Sequence, residues 1–304
     1  MSQVSLSEKL VIAISSRALF NLEKEHQVFE KEGLEAYYSY IKATQSLPLK
    51  PGSGFKFISS LLRLNNLCGA KVVEVILLSK NSAMFSLHIS MAIQSYKLDI
   101  TRHGWTNGGN IADYLKALRV DLFLSRDAQD VKDALNNGIA AAQLLHKKGS
   151  YEIQHATSEH ICIAFDGDAV VFDASSETVY KKKGLQAFVE YELQQKAQPL
   201  GEGPLITFLK VLVKLKKKLN TQKIIIKTAL ITARSAPTHE RVIRTLNLWG
   251  IDIDTVFFLG GYDKSKILEV FGADIFFDDQ DCHLDLAAKK VPSAKVITDL
   301  ETKN

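Results

Sequence analysis

Cysteine and proline are scarce in this chain, with three and six among 304 residues, and no long hydrophobic run occurs. Cys68, Cys162 and Cys282 are odd in number and widely spaced. That excludes a disulfide framework and a paired zinc-ligand spacing, and fits a reducing compartment. No apolar stretch approaches the roughly 18 to 20 residues that cross a bilayer; Val72–Leu78, for example, is interrupted by Glu74. The N-terminus lacks the basic and apolar regions of an export signal, because Val11–Ile14 runs directly into Ser15, Ser16 and Arg17. The expectation is a cytoplasmic chain with no membrane partner.

Other chemistries are also missing. There is no His-Glu-x-x-His, and His155 with His160 reads as a polar linker pair. Gly260-Gly261-Tyr-Asp-Lys264-Ser265 does not meet the Walker A spacing, and the residues after Asp166 do not meet that of an EF-hand. The formal charge is +4, with lysines clustered at 181–183 and 216–218. Aromatic residues do not interleave with them as stacking platforms would, so they read as solvated helix faces with no nucleic-acid partner.

What the chain does contain is a copy of itself. Val28-Phe-Glu-Lys-Glu-Gly33-Leu34-Glu-Ala36-Tyr37 lies 151 residues before Val179-Tyr-Lys-Lys-Lys-Gly184-Leu185-Gln-Ala187-Phe188. The same offset pairs Pro48-Leu49 with Pro199-Leu200, Gly52 with Gly203, and Ser15 with Asp166. Downstream the offset is 153, where Leu77-Leu78-Ser79 faces Leu230-Ile231-Thr232 and Asp121–Arg126 faces Asp274–Asp279. A period this long is a duplicated domain rather than a solenoid unit. It predicts lobes at 1–150 and 151–304, with a boundary in the polar stretch 149–159.

In the second copy, short apolar runs at Ile161–Phe165, Ile224–Ile231, Thr255–Leu259, Ile275–Phe277 and Lys295–Ile297 read as strands. Helical patterns separate them, notably Leu205–Leu219 and Pro237–Leu248, with Gly250 just past a helix end. Alternation of this kind predicts an α/β fold with parallel, Rossmann-like sheets covered by helices on both faces. Ligands of such sheets sit at the carboxyl ends of strands.

Those ends carry Asp166 and Asp168, Thr232, Lys264 (with Lys266 as a rival), and Asp278 with Asp279. The first copy offers Ser15-Ser16-Arg17, Ser79 and Ser125-Arg126 instead. Only the second copy therefore has the oxygen ligands that a hard divalent cation takes. A lysine and a threonine hydroxyl beside carboxylates suit a phosphoryl group, and an Asp can accept that group covalently. Ser15–Arg17 reads as packing between lobes, with an anion-binding corner as the alternative. Tyr180, Phe188 and Tyr191 follow helical spacing and read mainly as packing, with base stacking as the alternative.

Asp166-Gly-Asp168-Ala-Val170 after an apolar strand resembles the first signature of the haloacid dehalogenase-like phosphohydrolases. Thr232, Lys264 and Phe276-Phe-Asp278-Asp279 are similar to the other three, in order. Ile231-Thr-Ala-Arg-Ser-Ala-Pro-Thr-His-Glu-Arg241 and Ile12-Ala-Ile-Ser-Ser-Arg-Ala-Leu-Phe20 extend the likeness to the cytosolic 5′-nucleotidase I family over nearly the whole chain.

That resemblance implies Mg²⁺-dependent hydrolysis of nucleoside 5′-monophosphates. Asp166 would be nucleophile and metal ligand, and Asp168 acid and then base, with its carbonyl also on the metal. Thr232 with Ala233 and Arg234 would hold the phosphoryl group, Lys264 would neutralise it, and Asp278 and Asp279 would complete the metal shell. Residues 173–203 would form a small cap. The acid role requires Asp168 to be protonated when the leaving oxygen departs, and its side chain to point from the metal towards that oxygen. Another small phosphomonoester, phosphotransfer to a nucleoside, and non-catalytic nucleotide sensing remain as alternatives. Base preference and assembly into a homo-oligomer are not fixed by these residues.

Overall fold

The computed structural model describes residues 9–44, 47–145, 160–219 and 225–298. The expected boundary at 149–159, with His155, lies outside them. Ten strands join in one sheet: β1 (Leu10–Ile14), β2 (Val73–Ser79), β3 (Arg102–Trp105), β4 (Leu122–Ser125), β5 (Ala141–Leu144), β6 (His160–Phe165), β7 (Ile225–Thr232), β8 (Thr255–Phe258), β9 (Ile275–Asp278) and β10 (Ser293–Lys295). Their order is β3-β2-β1-β4-β5-β10-β9-β6-β7-β8.

Every neighbouring pair is parallel except β5 with β10, where Ala294 faces Leu144 and Lys295 faces Gln143. The sheet is thus two five-stranded halves with the same internal order, meeting at an antiparallel seam. The last strand begins two residues before the expected Lys295, because Ser293 and Ala294 are the residues that meet Phe276 and Phe277 of β9.

Continuous apolar runs such as LVIAI in β1 and HICIAF in β6 form strands buried on both faces. Leu10, Ile12 and Ile14 point into a core that also takes Ile161, Ile163 and Phe165, so one face is continuous across the seam. On the other face Val11 and Ala13 belong to one cluster and Ala164 and Phe276 to another. The helix Ile206–Leu219 packs against β1 as well as β7, which ties the halves together. Gly250 ends the helix His239–Trp249 in the left-handed conformation expected of a C-cap.

The halves share finer devices. Asp121 accepts a hydrogen bond from the Val11 amide at 2.8 Å, and Asp274 accepts one from Cys162 at 2.9 Å. Isolated bridges join Phe20 to Pro51 and Phe172 to Glu202. Beside them, a Cβ on Gly52 would lie 2.7 Å from the Ala18 carbonyl oxygen, and one on Gly203 would lie 2.4 Å from that of Phe172. Both crossings therefore require glycine.

After each first strand comes a helical segment, Glu23–Thr44 or Ser175–Gln194, broken at Gly33 (φ 82) or Gly184 (φ 79). At 1.5 Å per residue a straight helix would part Ser176 from Glu192 by roughly 24 Å, yet Ser176 Oγ donates to Glu192 Oε1 at 2.6 Å. The segment Ser175–Gln194 is a helical hairpin.

Candidate active site

The first strand of the second half runs out at Asp166, whose amide is held by the Phe277 carbonyl at 2.8 Å. The chain then makes one wide turn over Gly167–Val171, with Ala169 at φ 60. A non-glycine residue there costs about 1–2 kcal/mol, and wide turns of this kind gather at functional sites. Thr232, at the end of β7, lies against this turn: a Cβ on Gly167 would sit 3.3 Å from its Oγ1. Lys264 immediately precedes the helix Ser265–Phe271, and Asp278 ends β9.

Three strand ends and one helix start thus converge. Lys264 Nζ stands 2.9 Å from Asp166 Oδ1 and 2.7 Å from Asp278 Oδ2. His283 Nδ1 reaches the same Asp278 oxygen at 3.2 Å, and the Gln280 amide donates to Asp278 Oδ1 at 2.9 Å. Carboxylate oxygens of Asp166, Asp278 and Asp279 lie within 4.8 Å of one another. Lys264 is 1% exposed, whereas Lys266 faces solvent, so the structure brings Lys264 and not Lys266 to the carboxylates.

The electrostatics follow from three buried carboxylates around one ammonium. Burial pushes Asp166 up to about 7, against the pull of Lys264 and with the help of the Asp278 charge. Burial, then the charges of Glu177, Asp166 and Asp278, push Asp279 up to about 9. Burial would also raise Asp278, but Lys264 and His283 outweigh it and hold that carboxyl below its usual range. Burial would lower Lys264, yet the two aspartates hold it above its usual value. Asp279 Oδ1 is buried without a hydrogen-bond partner. An excess of negative charge, an unpartnered oxygen and an all-oxygen donor set fit a hard divalent cation.

Two comparisons with known proteins bear on this site. The model of the 5′-nucleotidase family matches residues 2–303. The chain belongs to the 5′-nucleotidase family. Cytosolic 5′-nucleotidase 1B from Homo sapiens is 35% identical over 291 residues, which cover 92% of this chain and 47% of that protein. The chain therefore spans about half the length of this curated relative. No solved structure matches. Among the described residues no helix is long and apolar enough to cross a membrane.

Within this family member, Asp168 is gripped by Arg234, whose Nε and Nη2 donate to its two carboxylate oxygens at 2.7 Å each. Arg234 is itself buried and turns its remaining nitrogen to Glu192. Burial would lower the guanidinium, but Asp168 and Glu192 hold it above its usual value. Ala233, by contrast, is exposed beside Thr232. His239 is half-buried with its ring on Phe258. Of the hairpin aromatics, Phe188 lies under Arg234 and Tyr191 under Arg241, while Tyr180 is exposed.

Sequence reasoning missed Glu177, Glu192 and Arg241. Glu192 accepts from Ser176, Arg234 and Arg241. Glu177 accepts from Gln280 Nε2 at 3.1 Å and from Lys181. The available signal was Gly184, whose helix break folds these glutamates back over the strand ends.

In the first half the same places hold hydroxyls. Ser16 Oγ lies 2.9 Å from Ser79 Oγ, and Ser125 donates to Ser15 at 3.3 Å. Asn81 donates to Ser16 at 3.1 Å. Arg17 makes a two-pronged pair with Glu23, which also takes Arg126. The serines bond to one another and the arginines share Glu23, all within the first half, whereas the sequence reading expects Ser15–Arg17 to pack between lobes.

Proposed function

We propose that this chain is a Mg²⁺-dependent 5′-nucleotidase that converts nucleoside 5′-monophosphates to nucleoside and phosphate through an aspartyl-phosphate on Asp166. Three buried carboxylates with Lys264 between two of them, in a member of the 5′-nucleotidase family, are what carry this reading. The relative's printed name, a cytosolic 5′-nucleotidase, supports the same substrate class and a cytoplasmic setting.

In this reading a carboxylate oxygen of Asp166 bonds to phosphorus as the bond from phosphorus to the 5′-oxygen breaks. Asp168, whose two oxygens accept from Arg234 in this structure, must first take up a proton to pass to that oxygen. Asp168 then takes a proton from the water that attacks the aspartyl-phosphate, which returns Asp166 and releases inorganic phosphate. Thr232 Oγ1 donates to a phosphoryl oxygen, with Ala233 beside it at the exposed rim. Lys264 keeps Asp166 oriented and balances the charge of the transferring group. Asp166, Asp278 and Asp279, with the Asp168 carbonyl, would hold Mg²⁺, which when bound offsets the charge on the phosphoryl oxygens.

The reading extends to architecture. Residues 1–150 and 151–304 are two copies of one haloacid dehalogenase-like domain, the first a scaffold and the second catalytic, with the hairpin in 173–203 as a cap. The repeated strand order, the two crossing glycines and the two helix breaks support this.

Phosphate release from each common nucleoside monophosphate, with Mg²⁺ and with chelator, tests reaction, substrate and cofactor together. Release that needs the metal and exceeds that from sugar phosphates supports the proposal. Metal-independent release, or binding of nucleotide without release, contradicts it.

A further inference from the structure

We infer that Glu192 is a positioning residue for Asp168, acting through Arg234, so that the seated hairpin sets where the acid–base carboxylate stands. The inference rests on the reading of Asp168 as acid and base. It begins with an oddity of burial: Glu192 is 1% exposed and Arg234 is 3% exposed. Burying such charges is costly unless each is paired and hydrogen-bonded, and an apolar pair would fill the same volume.

The pairing here is directional. Arg234 spends Nε and Nη2 on Asp168 and Nη1 on Glu192. A guanidinium is a rigid planar fork, so fixing one edge fixes the other. Glu192 is held in turn by Ser176 Oγ at 2.6 Å and Arg241 Nη1 at 2.9 Å. Arg241 is anchored to the Gln198 carbonyl at 2.9 Å and to that of Pro199 at 3.3 Å. Phe188 closes one side of Arg234 at 5.2 Å and excludes water from it. The chain of contacts therefore runs from both arms of the hairpin, Ser176 and Glu192, to the carboxylate two residues beyond Asp166.

The other half carries none of this. The residue 151 positions before Glu192 is Ile41, that facing Arg234 is Asn81, and that facing Asp168 is Arg17. The clamp occurs only where there is an aspartate to hold.

A leaving-group comparison separates positioning from general damage. A nucleoside alkoxide needs a proton to depart, whereas p-nitrophenolate departs without one. First-turnover release of each is measured with Mg²⁺ for the wild type, Asp168→Asn, Glu192→Gln and the double variant. Asp168→Asn is expected to slow nucleoside release by about 10²–10⁴-fold, with a much smaller effect on p-nitrophenol. Glu192→Gln is expected to slow nucleoside release roughly tenfold at little change in KM, to leave p-nitrophenol within about twofold, and to add nothing to Asp168→Asn.

Equal slowing of both leaving groups by Glu192→Gln, or additivity in the double variant, would overturn the inference while leaving Asp168 its role. If Asp168→Asn itself fails to discriminate between the leaving groups, the acid reading falls and the inference falls with it. Should Glu192→Gln not fold, Glu192→Asp carries the same test, because its shorter side chain keeps the charge but draws it away from Arg234.

Discussion

Each half of the sheet ends its first, second and fourth strands in polar residues, but one half closes on itself and the other does not. Ser15, Ser16, Ser79 and Ser125 are buried and bond to one another. A hydroxyl both donates and accepts, so such a set can satisfy itself. In the other half the counterparts of Ser15, Ser16, Ser79 and Ser125 are Asp166, Gly167, Thr232 and Asp278, and Asp279 stands where the first half has Arg126. Ionised carboxylates only accept, so three of them need donors or cations from outside the set. Lys264 supplies one, and its counterpart by the 153-residue offset is Ile111. Ile111 likewise immediately precedes a helix, Ala112–Ala117. The lesson is that the scaffold tolerates either solution, and that unbalanced charge marks the half proposed to be catalytic.

The turn after the first strand differs as well. From Ser15 to the bridge residue Phe20 is five steps, and from Asp166 to Phe172 is six. The extra residue sits in the wide turn that carries Asp168 and forces Ala169 to a positive φ. In the first half the equivalent stretch is an ordinary helical turn, Ser16–Leu19.

Substitutions at matched positions sharpen this contrast. Asp166→Asn is expected to lower turnover by about a thousandfold or more, whereas Ser15→Ala should leave it within about twofold; steady-state phosphate release checks both. Lys264→Met removes the one ammonium between two buried aspartates, and should destabilise the metal-free protein by about 3 kcal/mol in a denaturant titration.

Asp279→Asn is expected to weaken Mg²⁺ binding by roughly 10–100-fold by calorimetry. Its pH behaviour adds a sign. Asp279 and Asp166 are raised on folding, so their contribution to stability is fully present below the unfolded value of 3.8 and is lost as pH rises through about 7 and about 9. The melting temperature of the chelated protein should therefore fall between about pH 5 and about pH 9, with a shallower fall in Mg²⁺ or in Asp279→Asn. A fall of equal depth in all three samples would break the link to this cluster.

The smallest effect concerns the turn itself. Ala18→Gly should cost about 1–2 kcal/mol through a lost buried methyl and a looser helical turn. Ala169→Gly loses a similar methyl but relieves the positive φ, so it should be nearly neutral in the same denaturant assay.

Much of this could be read from residue order, for identifiable reasons. Strands buried on both faces are apolar runs, so β6, β7 and β9 are legible to within a residue or so, as is the partly exposed edge strand β8, and the aspartates and Thr232 follow from being next in line. Lys264 over Lys266 was not legible, since only the start of the helix Ser265–Phe271 turns one inward and the other to solvent. Nor was the seam: β5 and β10 are short, and nothing local specifies that they pair with each other in opposite directions. Glu177 and Glu192 escaped because a glutamate in a helical pattern reads as a solvated face. Only the fold-back at Gly184 buries them against Gln280, Arg234 and Arg241.

The most direct test follows the phosphorus. The chain is mixed with a nucleoside monophosphate carrying labelled phosphate, in Mg²⁺, quenched in acid within the first turnover and digested to peptides. The account predicts acid-stable label on Asp166. Turnover with no labelled peptide, or label on any residue other than Asp166, would contradict it.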